Sequence, residues 1–319
     1  MKKILLPEKI IPEGMDLLAG KAEIVITEGY SEAEIVSKVK DVHGIVLRSG
    51  AKITRKIFEA APQLKIISRT GSGYDNVDVA TATEHGVMVC NLPGVNNLSV
   101  AEHTVAFIFA LMKQLPTMDR YVRTGDWKKR SQYISMEVEG KTIGIVGIGK
   151  IGYKVAVKCK ALGMSVIAYD PYVENLYKNE FSFCESLKEL FEKSDIVSIH
   201  VPNLPGTRDM INKGLICSMK RNAFFINTSR GEVVNEDALV AGLKEGRIAG
   251  AALDVFINEP VNENNPLLKM KNVILSPHTA ALTKECGVKM TVDAVKQVID
   301  YLEGRTPPYI VNEKELNFK

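Results

Sequence analysis

Short runs of β-branched and other apolar residues alternate along the chain with longer segments whose apolar residues recur at helical spacing. The runs predict eleven strands: "KILLP", "EIVI", "GIVL", "LKIIS", "VMVC", "TIGIVG", "SVIAYD", "DIVSIHV", "AFFINT", "IAGAALDV" and "NVILSP". Strands that alternate with helices are typical of βα units, which wind a parallel sheet. Eleven strands exceed what one compact sheet of this type usually holds. The pattern therefore predicts an α/β protein with two doubly wound parallel-sheet domains.

The segment "SVAEHTVAFIFALMKQL", residues 99–115, is apolar on nearly every face over its middle turns and predicts a buried helix. Ser99 and Glu102 have the spacing of a capping box, which would start the helix at Ser99. We place the domain boundary there, with residues 1–98 in a first domain and residues 99–285 in a second. The amphipathic segment "KMTVDAVKQVIDYLEG" then returns to the first domain, so residues 286–319 complete it, with "PYIVN" as a further strand candidate.

The same helix predicts a homodimer. Its apolar residues cover more surface than one neighbouring layer would bury. They are Val100, Val105, Phe107, Ile108, Phe109, Leu111 and Met112.

Composition and charge exclude several classes of partner. A chain of 319 residues that is 45% hydrophobic and 25% charged has the composition of a globular protein with two sizeable cores. The net charge of +3 and the dispersed basic residues predict no nucleic-acid partner. Five cysteines without a CxxC pair predict neither a disulfide framework nor a metal site, and they fit a cytoplasmic protein. No apolar stretch reaches membrane-spanning length, and the run in "MKKILLP" is too short for a signal sequence, so we expect no membrane partner.

The strongest short motif lies in "KTIGIVGIGKIGYKVAVKCKALGMSVIAYD", where a strand leads into a glycine-rich turn, a helix and a second strand. Gly147 permits the tight turn, Gly149 lets the backbone approach a pyrophosphate, and Gly152 lets helix and strand pack closely. Asp170 ends the second strand, where its carboxylate can accept hydrogen bonds from a ribose diol and repel a 2′-phosphate. The motif predicts a Rossmann-type domain that binds NAD rather than NADP.

Hydride transfer needs a proton donor beside the reacting carbon, and histidine usually supplies it. Three of the five histidines, His43, His85 and His103, precede strands or lie on the buried helix, so we interpret them as structural. His200 and His278 end strands, at the sheet edge where open α/β folds bind ligands. His278 follows a proline that stops its strand and is the better candidate, while His200 fits a core histidine equally well.

An ordered series of motifs covers essentially the whole chain: "LRSG" around Arg48, "RTGSGYDNVD", "SVAEHT", "GIGKIG", "NTSRGEVV", "ALDVFINEP" and "SPHTA". With this series the chain resembles the D-isomer-specific 2-hydroxyacid dehydrogenases, the family of D-3-phosphoglycerate dehydrogenase, hydroxypyruvate reductase and D-lactate dehydrogenase. The resemblance implies an NAD-dependent oxidoreductase that interconverts a D-2-hydroxyacid and its 2-oxoacid. It also implies a Rossmann-type cofactor domain inserted into a discontinuous substrate domain.

The resemblance assigns roles to individual residues. Arg230 would bind the α-carboxylate and carbonyl of the substrate, which suits a planar guanidinium. His278 would be the acid–base residue and Glu259 its carboxylate partner, because a carboxylate paired with an imidazole favours the protonated ring. Asp254 would lie near the nicotinamide amide, although it also fits an ordinary acid at a strand end.

Further residues are assigned in the same way. Backbone N–H groups of Gly71, Ser72 and Gly73 would hold the substrate carboxylate, and Ser72 would also contact the cofactor. Arg48 would add positive charge there or pair with a surface carboxylate. Lys150, Ile151, Val201 and Thr228 match positions of NAD contacts.

Several readings stay open at this level. Among the activities of the family, that of D-3-phosphoglycerate dehydrogenase is the prediction, with glyoxylate or hydroxypyruvate reductase, or another D-2-hydroxyacid dehydrogenase, as the alternative. A non-enzymatic dinucleotide-sensing protein on the same scaffold, like the C-terminal-binding co-repressors, is an alternative of another class. Formate dehydrogenases carry glutamine where this chain has Glu259, which argues against that branch. The sequence ends with the short segment "GRTPPYIVNEKELNFK", and we therefore expect no C-terminal regulatory domain.

Overall fold

The computed structural model describes residues 1–173 and 176–316. The chain forms two compact units: unit 1 comprises Met1–Asn96 and the chain from Leu282 onward, and unit 2 comprises Asn97–Ala281. Residues 317–319, the end of the predicted first domain, lie outside the described residues.

Unit 1 contains five strands and five helices within the described residues. Its strands are β1 (Lys3–Leu6), β2 (Glu23–Ile26), β3 (Gly44–Leu47), β4 (Ile66–Arg69) and β5 (Met88–Cys90). Its helices are α1 (Pro12–Leu18), α2 (Glu32–Lys38), α3 (Arg55–Ala60), α4 (Val79–Glu84) and, after the whole of unit 2, α12 (Lys284–Leu302).

Unit 2 contains the remaining elements. Its helices are α5 (Asn97–Met112), α6 (Leu115–Arg123), α7 (Lys150–Ala161), α8 (Glu174–Tyr177), α9 (Leu187–Lys193), α10 (Lys213–Ser218) and α11 (Glu236–Lys244), with 3-10 helices at Trp127–Gln132, Gly231–Val233 and Pro266–Lys269. Its strands are β6 (Thr142–Val146), β7 (Ser165–Tyr169), β8 (Ser182–Phe183), β9 (Ile196–Ile199), β10 (Phe224–Asn227), β11 (Gly250–Leu253) and β12 (Val273–Leu275).

Both sheets are parallel and doubly wound, as the sequence predicted. The sheet of unit 1 has the order β2-β1-β3-β4-β5, and the sheet of unit 2 has the order β12-β11-β10-β9-β6-β7-β8. In unit 1, Leu5 and Ile45 enter one buried cluster while their neighbours Ile4 and Val46 enter another. The central strands are thus covered on both faces, which is why they are continuous apolar runs rather than alternating ones.

The sheet of unit 2 is covered in the same way. Phe225 and Ala251 lie in one core cluster, and Ile226 and Ala252 lie in the cluster on the opposite face. The order of the strands reverses between β6 and β9, and this reversal creates a switch point at the carboxyl edge of the sheet. All eleven predicted strands are present. The twelfth, β8, was missed because two residues at a sheet edge give no periodic pattern.

Two predictions about the long apolar helix were wrong. The helix α5 begins at Asn97, so Ser99 lies inside its first turn and is buried instead of capping it. The helix ends at Met112 because Gln114 adopts a left-handed φ of 52° and Pro116 opens the next helix, α6. The candidate strand "PYIVN" makes a single antiparallel bridge, between Cys90 and Ile310.

Within the described residues, no single helix has both the length and the apolar composition to cross a membrane. The bent pair α5 and α6, with 60° between them, meets that test only when the two helices are taken together.

Candidate active site

The predicted cofactor and catalytic residues of unit 2 follow the ends of its strands. Asp170 follows β7, Thr228 follows β10, and Asp254 follows β11. Because the strands are parallel, these residues share the carboxyl edge of one sheet, where doubly wound folds bind their ligands.

The turn of residues 147–152, called the glycine loop below, lies at the switch point. Gly147 has a φ of +85°, and a Cβ on it would lie 2.6 Å from Val201 Cγ1 and 2.9 Å from the His200 carbonyl oxygen. A Cβ on Gly152 would lie 2.1 Å from the carbonyl oxygen of Gly147. Both positions therefore require glycine for the packing of the loop itself. At Gly149, in contrast, a Cβ would meet nothing within 4 Å.

Gly149 also caps α7, which begins at Lys150 and continues through Ile151. The open space beside Gly149 and the N–H groups at the start of this twelve-residue helix form the kind of cradle that binds a pyrophosphate. The residues present thus fit a dinucleotide.

A pair of alanine variants separates the two kinds of glycine. We expect Gly149→Ala to lower the melting temperature by only about 2–4 °C, because alanine caps a helix about 1 kcal/mol less well, yet to weaken NADH binding at least about tenfold because the methyl group fills the space for the pyrophosphate. Gly152→Ala should lower the melting temperature much further, since its Cβ overlaps backbone. Thermal denaturation and NADH fluorescence titration measure both effects. Unchanged NADH affinity in Gly149→Ala would contradict the cradle.

Asp170 is tied to the glycine loop. Its Oδ2 accepts a hydrogen bond of 3.0 Å from the Ile148 N–H, and its Oδ1 accepts one of 3.0 Å from the Tyr172 N–H. A carboxylate has about four acceptor positions, so two remain for ribose hydroxyls. Asp170 therefore both orders the glycine loop and retains the capacity to bind a ribose.

Arg230 follows β10 in a turn that is stabilised by hydrogen bonds among residues 227–230. The Asn227 side-chain amide donates to the Arg230 carbonyl at 2.9 Å, and the Arg230 guanidinium donates to the Ser229 carbonyl at 2.7 Å. The next residue, Gly231, lies against the Phe256–Ile257 backbone: a Cβ there would be 2.0 Å from the Phe256 carbonyl carbon. Glycine at this position thus lets the arginine turn approach the segment that carries Glu259. Nothing in the sequence around Gly231 indicates this role, because the Phe256 backbone is 25 positions away.

Glu259 and His278 form a direct pair. The Nδ1 atom of His278 lies 2.7 Å from Oε2 of Glu259, and Oε1 of Glu259 accepts the Phe256 N–H at 3.0 Å. A carboxylate only accepts hydrogen bonds, so Nδ1 of His278 carries the hydrogen that it donates to Glu259. The other ring nitrogen, Nε2, is then left for a substrate, and 44% of the His278 side chain is exposed.

The charge state of Glu259 follows from its surroundings. Burial would raise the pKa of this carboxyl, but the hydrogen bond from His278, the charge of His278, the Phe256 N–H and the Arg230 charge together hold the pKa below its ordinary value. Glu259 is therefore ionised across the neutral pH range, and its negative charge lies 2.7 Å from Nδ1 of His278.

The buried carboxylate of Asp254 holds the loop that carries His278. Its oxygens accept the N–H groups of Thr279 at 2.8 Å and Ala280 at 2.9 Å, and the Ser276 hydroxyl also donates to it. The His278 N–H donates to the Asp254 carbonyl at 2.8 Å, and His278 has a left-handed φ of 53°. Such backbone geometry persists only where neighbouring contacts hold it. Ser276 is also 3.1 Å from Nε2 of His103, so that histidine joins the network.

His200 is the weaker candidate for the proton donor. Burial lowers the pKa of its imidazole to about 3, and Nε2 lies 2.9 Å from the Ser198 hydroxyl. A ring with that pKa is neutral throughout the physiological pH range, so it cannot supply a proton there. Of the two strand-end histidines, His278 alone has a carboxylate partner among the described residues. Thr228, also buried, shares a hydrogen bond of 2.9 Å with Thr104.

In unit 1, the predicted substrate residues also lie at the carboxyl edge of a parallel sheet. Arg48 follows β3, and the loop Gly71–Gly73 follows β4. The Arg48 guanidinium is 3.6 Å from the Glu8 carboxylate, so the pairing with a surface carboxylate is present. Asn76, a polar residue with no motif of its own to mark it in the sequence, connects the two segments by donating to the carbonyls of Arg48 and Ala51 at 3.0 and 2.7 Å.

Among residues 1–173 and 176–316, no group of three or more histidine, cysteine, aspartate or glutamate side chains could hold a metal ion.

Residues 105–280 match the family model described as "D-isomer specific 2-hydroxyacid dehydrogenase, NAD binding domain". The chain is 41% identical over 314 residues to a D-3-phosphoglycerate dehydrogenase of Synechocystis sp., covering 98% of this chain and 56% of that protein. It is 40% identical to a glyoxylate reductase of Thermofilum pendens, covering 98% and 95%. A crystal structure of D-lactate dehydrogenase from Aquifex aeolicus, complexed with NAD and lactic acid, is similar with a TM-score of 0.87, 29% identity and coverage of 97% and 99%. The chain thus spans little more than half the length of its Synechocystis relative.

Proposed function

Because the chain belongs to the D-isomer specific 2-hydroxyacid dehydrogenase family, we propose that it is an NAD-dependent oxidoreductase that interconverts a D-2-hydroxyacid and its 2-oxoacid. The observation that carries the proposal is the 2.7 Å pair of Glu259 and His278, in the same unit as the glycine loop and Arg230. This unit offers a proton donor, a cation for a carboxylate and a cradle for a dinucleotide, which are the three requirements of the reaction.

The residues of the chain divide the work as follows. The glycine loop and Asp170 hold the dinucleotide, and when bound it supplies the hydride for reduction or accepts it in oxidation. His278 donates the Nε2 proton to the carbonyl oxygen in reduction and removes the hydroxyl proton in oxidation, while Glu259 accepts the hydrogen on Nδ1 and holds the ring. Arg230 binds the α-carboxylate and stabilises the charge that develops on the oxygen. The remaining cofactor contacts are assigned to Lys150, Ile151, Val201, Thr228, Asp254 and Ser72.

Each unit has a part in this scheme. Unit 2 is the NAD-binding domain, and unit 1 is the substrate domain. In unit 1 the loop Gly71–Gly73 is assigned to a carboxylate of the substrate, with Arg48 as added positive charge; the Gly71 N–H also donates to the Arg69 carbonyl at 2.8 Å.

The proposed substrate is D-3-phosphoglycerate, supported by the names of relatives at 37–41% identity over nearly the whole chain. Glyoxylate or hydroxypyruvate is the alternative, supported by the glyoxylate reductase that the chain covers almost completely. The test is a panel of 2-oxoacids with NADH: phosphohydroxypyruvate, hydroxypyruvate, glyoxylate and pyruvate. We expect the highest kcat/KM with phosphohydroxypyruvate. NADH binding without turnover of any oxoacid would favour the dinucleotide-sensing protein instead.

The choice of cofactor is attributed to the charge of Asp170. We expect Asp170→Asn, which keeps an acceptor for the Ile148 N–H but removes the charge, to reduce the NADH-over-NADPH ratio of kcat/KM by at least about tenfold, because like charge beside a 2′-phosphate is strongly unfavourable. Asp195→Asn is the matched control. Asp195 also accepts a backbone N–H, that of Thr142 at 2.8 Å, but it precedes β9 at the opposite edge of the sheet. Equal ratios in wild type and Asp170→Asn would mean that another residue sets the preference.

The chain forms a homodimer in this proposal, but α5 supports it less than predicted. Only Val105 and Phe109 of its seven apolar residues are partly exposed, and the others are buried within unit 2. The support comes instead from the segment after α5, where Val122 is 61%, Trp127 59% and Ile134 89% exposed.

Light scattering should therefore give twice the chain mass of 35.2 kDa at micromolar concentration. Ile134→Asp should dissociate the dimer, because a charge buried in an apolar interface is strongly unfavourable. Leu268→Asp, at a residue 46% exposed elsewhere in unit 2, should leave it intact. A wild-type mass equal to that of one chain would contradict the proposed dimer.

A cytoplasmic location completes the proposal. None of the cysteines forms a disulfide within the described residues, and burial raises the pKa of the Cys90 and Cys159 thiols to about 12. Cysteines without disulfides suit a reducing compartment.

A further inference from the structure

The loop Gly71–Gly73 is held by hydrogen bonds to its carbonyl groups. The Leu92 N–H donates to the Gly71 carbonyl at 2.9 Å, and the side-chain amide of Asn91 donates to the Ser72 carbonyl at 2.7 Å. In a trans peptide the carbonyl and the following N–H point in opposite directions. Fixing these two carbonyls towards the residues after β5 therefore turns the N–H groups of Ser72 and Gly73 the other way. Neither N–H group has an acceptor in the part of the chain that the structure describes.

Asn91 is itself held from α12. The Gln297 side-chain amide donates to the Asn91 carbonyl at 3.0 Å and to the Pro308 carbonyl at 2.8 Å. Its carbonyl accepts the Ser68 hydroxyl at 2.6 Å, on the strand that leads into the loop. The three side chains are buried, with Gln297 1%, Ser68 0% and Asn91 8% exposed. Both hydrogens and the oxygen of the Gln297 amide are thus used, and the amide bridges the strand before the loop and the residue that orients it.

From these contacts we infer that Asn91 and Gln297 are positioning residues, which orient the free N–H groups of Ser72 and Gly73 towards the substrate carboxylate. Gln297 lies 206 positions from Asn91 in the sequence, and α12 is the element that returns to unit 1 after unit 2. The inference rests on the proposed function for the identity of the ligand, but the orientation of the loop is a property of unit 1 alone.

The chain offers a matched control in Asn312, which is 1% exposed in the same unit. Its side chain accepts the Val89 N–H at 3.0 Å and donates to Thr83 at 2.9 Å and the Val87 carbonyl at 3.0 Å. Asn312→Ala removes as many buried hydrogen bonds as Gln297→Met, but none that leads to the loop.

The experiment compares Asn91→Ala, Gln297→Met and Asn312→Ala by steady-state kinetics, hydrogen exchange and thermal denaturation. We expect the KM for the 2-oxoacid to rise roughly 10–100-fold in the first two variants, because a misplaced binding group can lose that much. The KM for NADH should rise less, because only Ser72 of the loop is assigned to the cofactor. The Leu92 amide, which donates to the Gly71 carbonyl at 2.9 Å, should lose protection against hydrogen exchange in both variants, because the loop that holds it moves. Asn312→Ala should lower the melting temperature without either effect. If Gln297→Met does not fold, Asn91→Asp replaces it, since an oxygen facing the Ser72 carbonyl should displace the loop equally.

Unchanged oxoacid KM and unchanged exchange in Asn91→Ala would overturn the inference. If the wild type reduces no 2-oxoacid, the proposed function fails, and the exchange measurement still decides. Faster exchange of the Leu92 amide in Asn91→Ala but not in Asn312→Ala supports the positioning role, and equal exchange in both variants overturns it.

Discussion

His278→Ala should lower kcat for oxoacid reduction by about 10²–10⁴, the usual effect of removing a positioned acid. The physical reason is that His278 presents Nε2 while its Nδ1 is occupied by Glu259 at 2.7 Å. The KM for the oxoacid should change little, since Arg230 still binds the carboxylate. Steady-state kinetics at saturating NADH measure both parameters.

His200→Gln is the matched comparison. The pKa of about 3 leaves His200 uncharged at every pH of the assay, so its replacement should not shift the pH profile. Near-normal turnover in His278→Ala together with a large loss in His200→Gln would reverse the assignment.

The variant Glu259→Gln tests the pair of Glu259 and His278 through the pH dependence of oxoacid reduction. In the wild type the pKa of Glu259 is depressed, so its charge is present above the ordinary carboxyl range and is lost only as the pH falls below it. That charge accepts the Nδ1 hydrogen of the imidazole whose Nε2 proton reduction consumes. Without it, reductive activity should fall away at a lower pH than in the wild type while part of its maximum remains. A wild-type profile in Glu259→Gln would mean that the carboxylate does not assist His278.

Much of this site could be predicted because it is encoded locally. The runs that became β7, β10 and β11 are apolar on both faces, and Asp170, Thr228 and Asp254 follow them directly. In a parallel sheet, consecutive strand ends share one edge, so residues far apart in the chain are brought to the same edge without any knowledge of side-chain packing.

The parts that could not be predicted depend on contacts between distant segments. Nothing in "SRG" shows that a Cβ on Gly231 would lie 2.0 Å from the Phe256 carbonyl carbon. Likewise, nothing in "VCNLPG" shows that the Asn91 side chain donates a hydrogen bond to the Ser72 carbonyl. The start of α5 was misplaced for a related reason. Ser99 has the residue type of a cap, but its side chain is buried on the core face of a helix already begun at Asn97. Local preference there gives way to packing.

The second large effect is expected at Arg230. Arg230→Ala should lower kcat/KM for the oxoacid by roughly 10²–10³, within the range for truncating one partner of a hydrogen-bonded charge pair, and the loss should appear in both parameters. The carboxylate loses its partner, which raises KM, and the developing negative charge on the carbonyl oxygen loses its stabilisation, which lowers kcat.

Arg230→Lys separates charge from shape at this position. Lysine keeps the positive charge but not the planar fork that can hold a carboxylate and an adjacent carbonyl together. The Lys variant should therefore recover part of the affinity and little of the turnover. Because the Arg230 charge also contributes to the low pKa of Glu259, the Ala variant should lose activity at a slightly higher pH on the acid side, whereas the Lys variant should not. The comparison uses steady-state kinetics of the wild type, Arg230→Ala and Arg230→Lys across pH. The affinity for NADH, which should not change, is the internal control. Equal kcat in wild type and Arg230→Ala would mean that Arg230 only binds substrate and does not stabilise the developing charge. Equal KM in the two proteins would mean that Arg230 does not bind the substrate carboxylate.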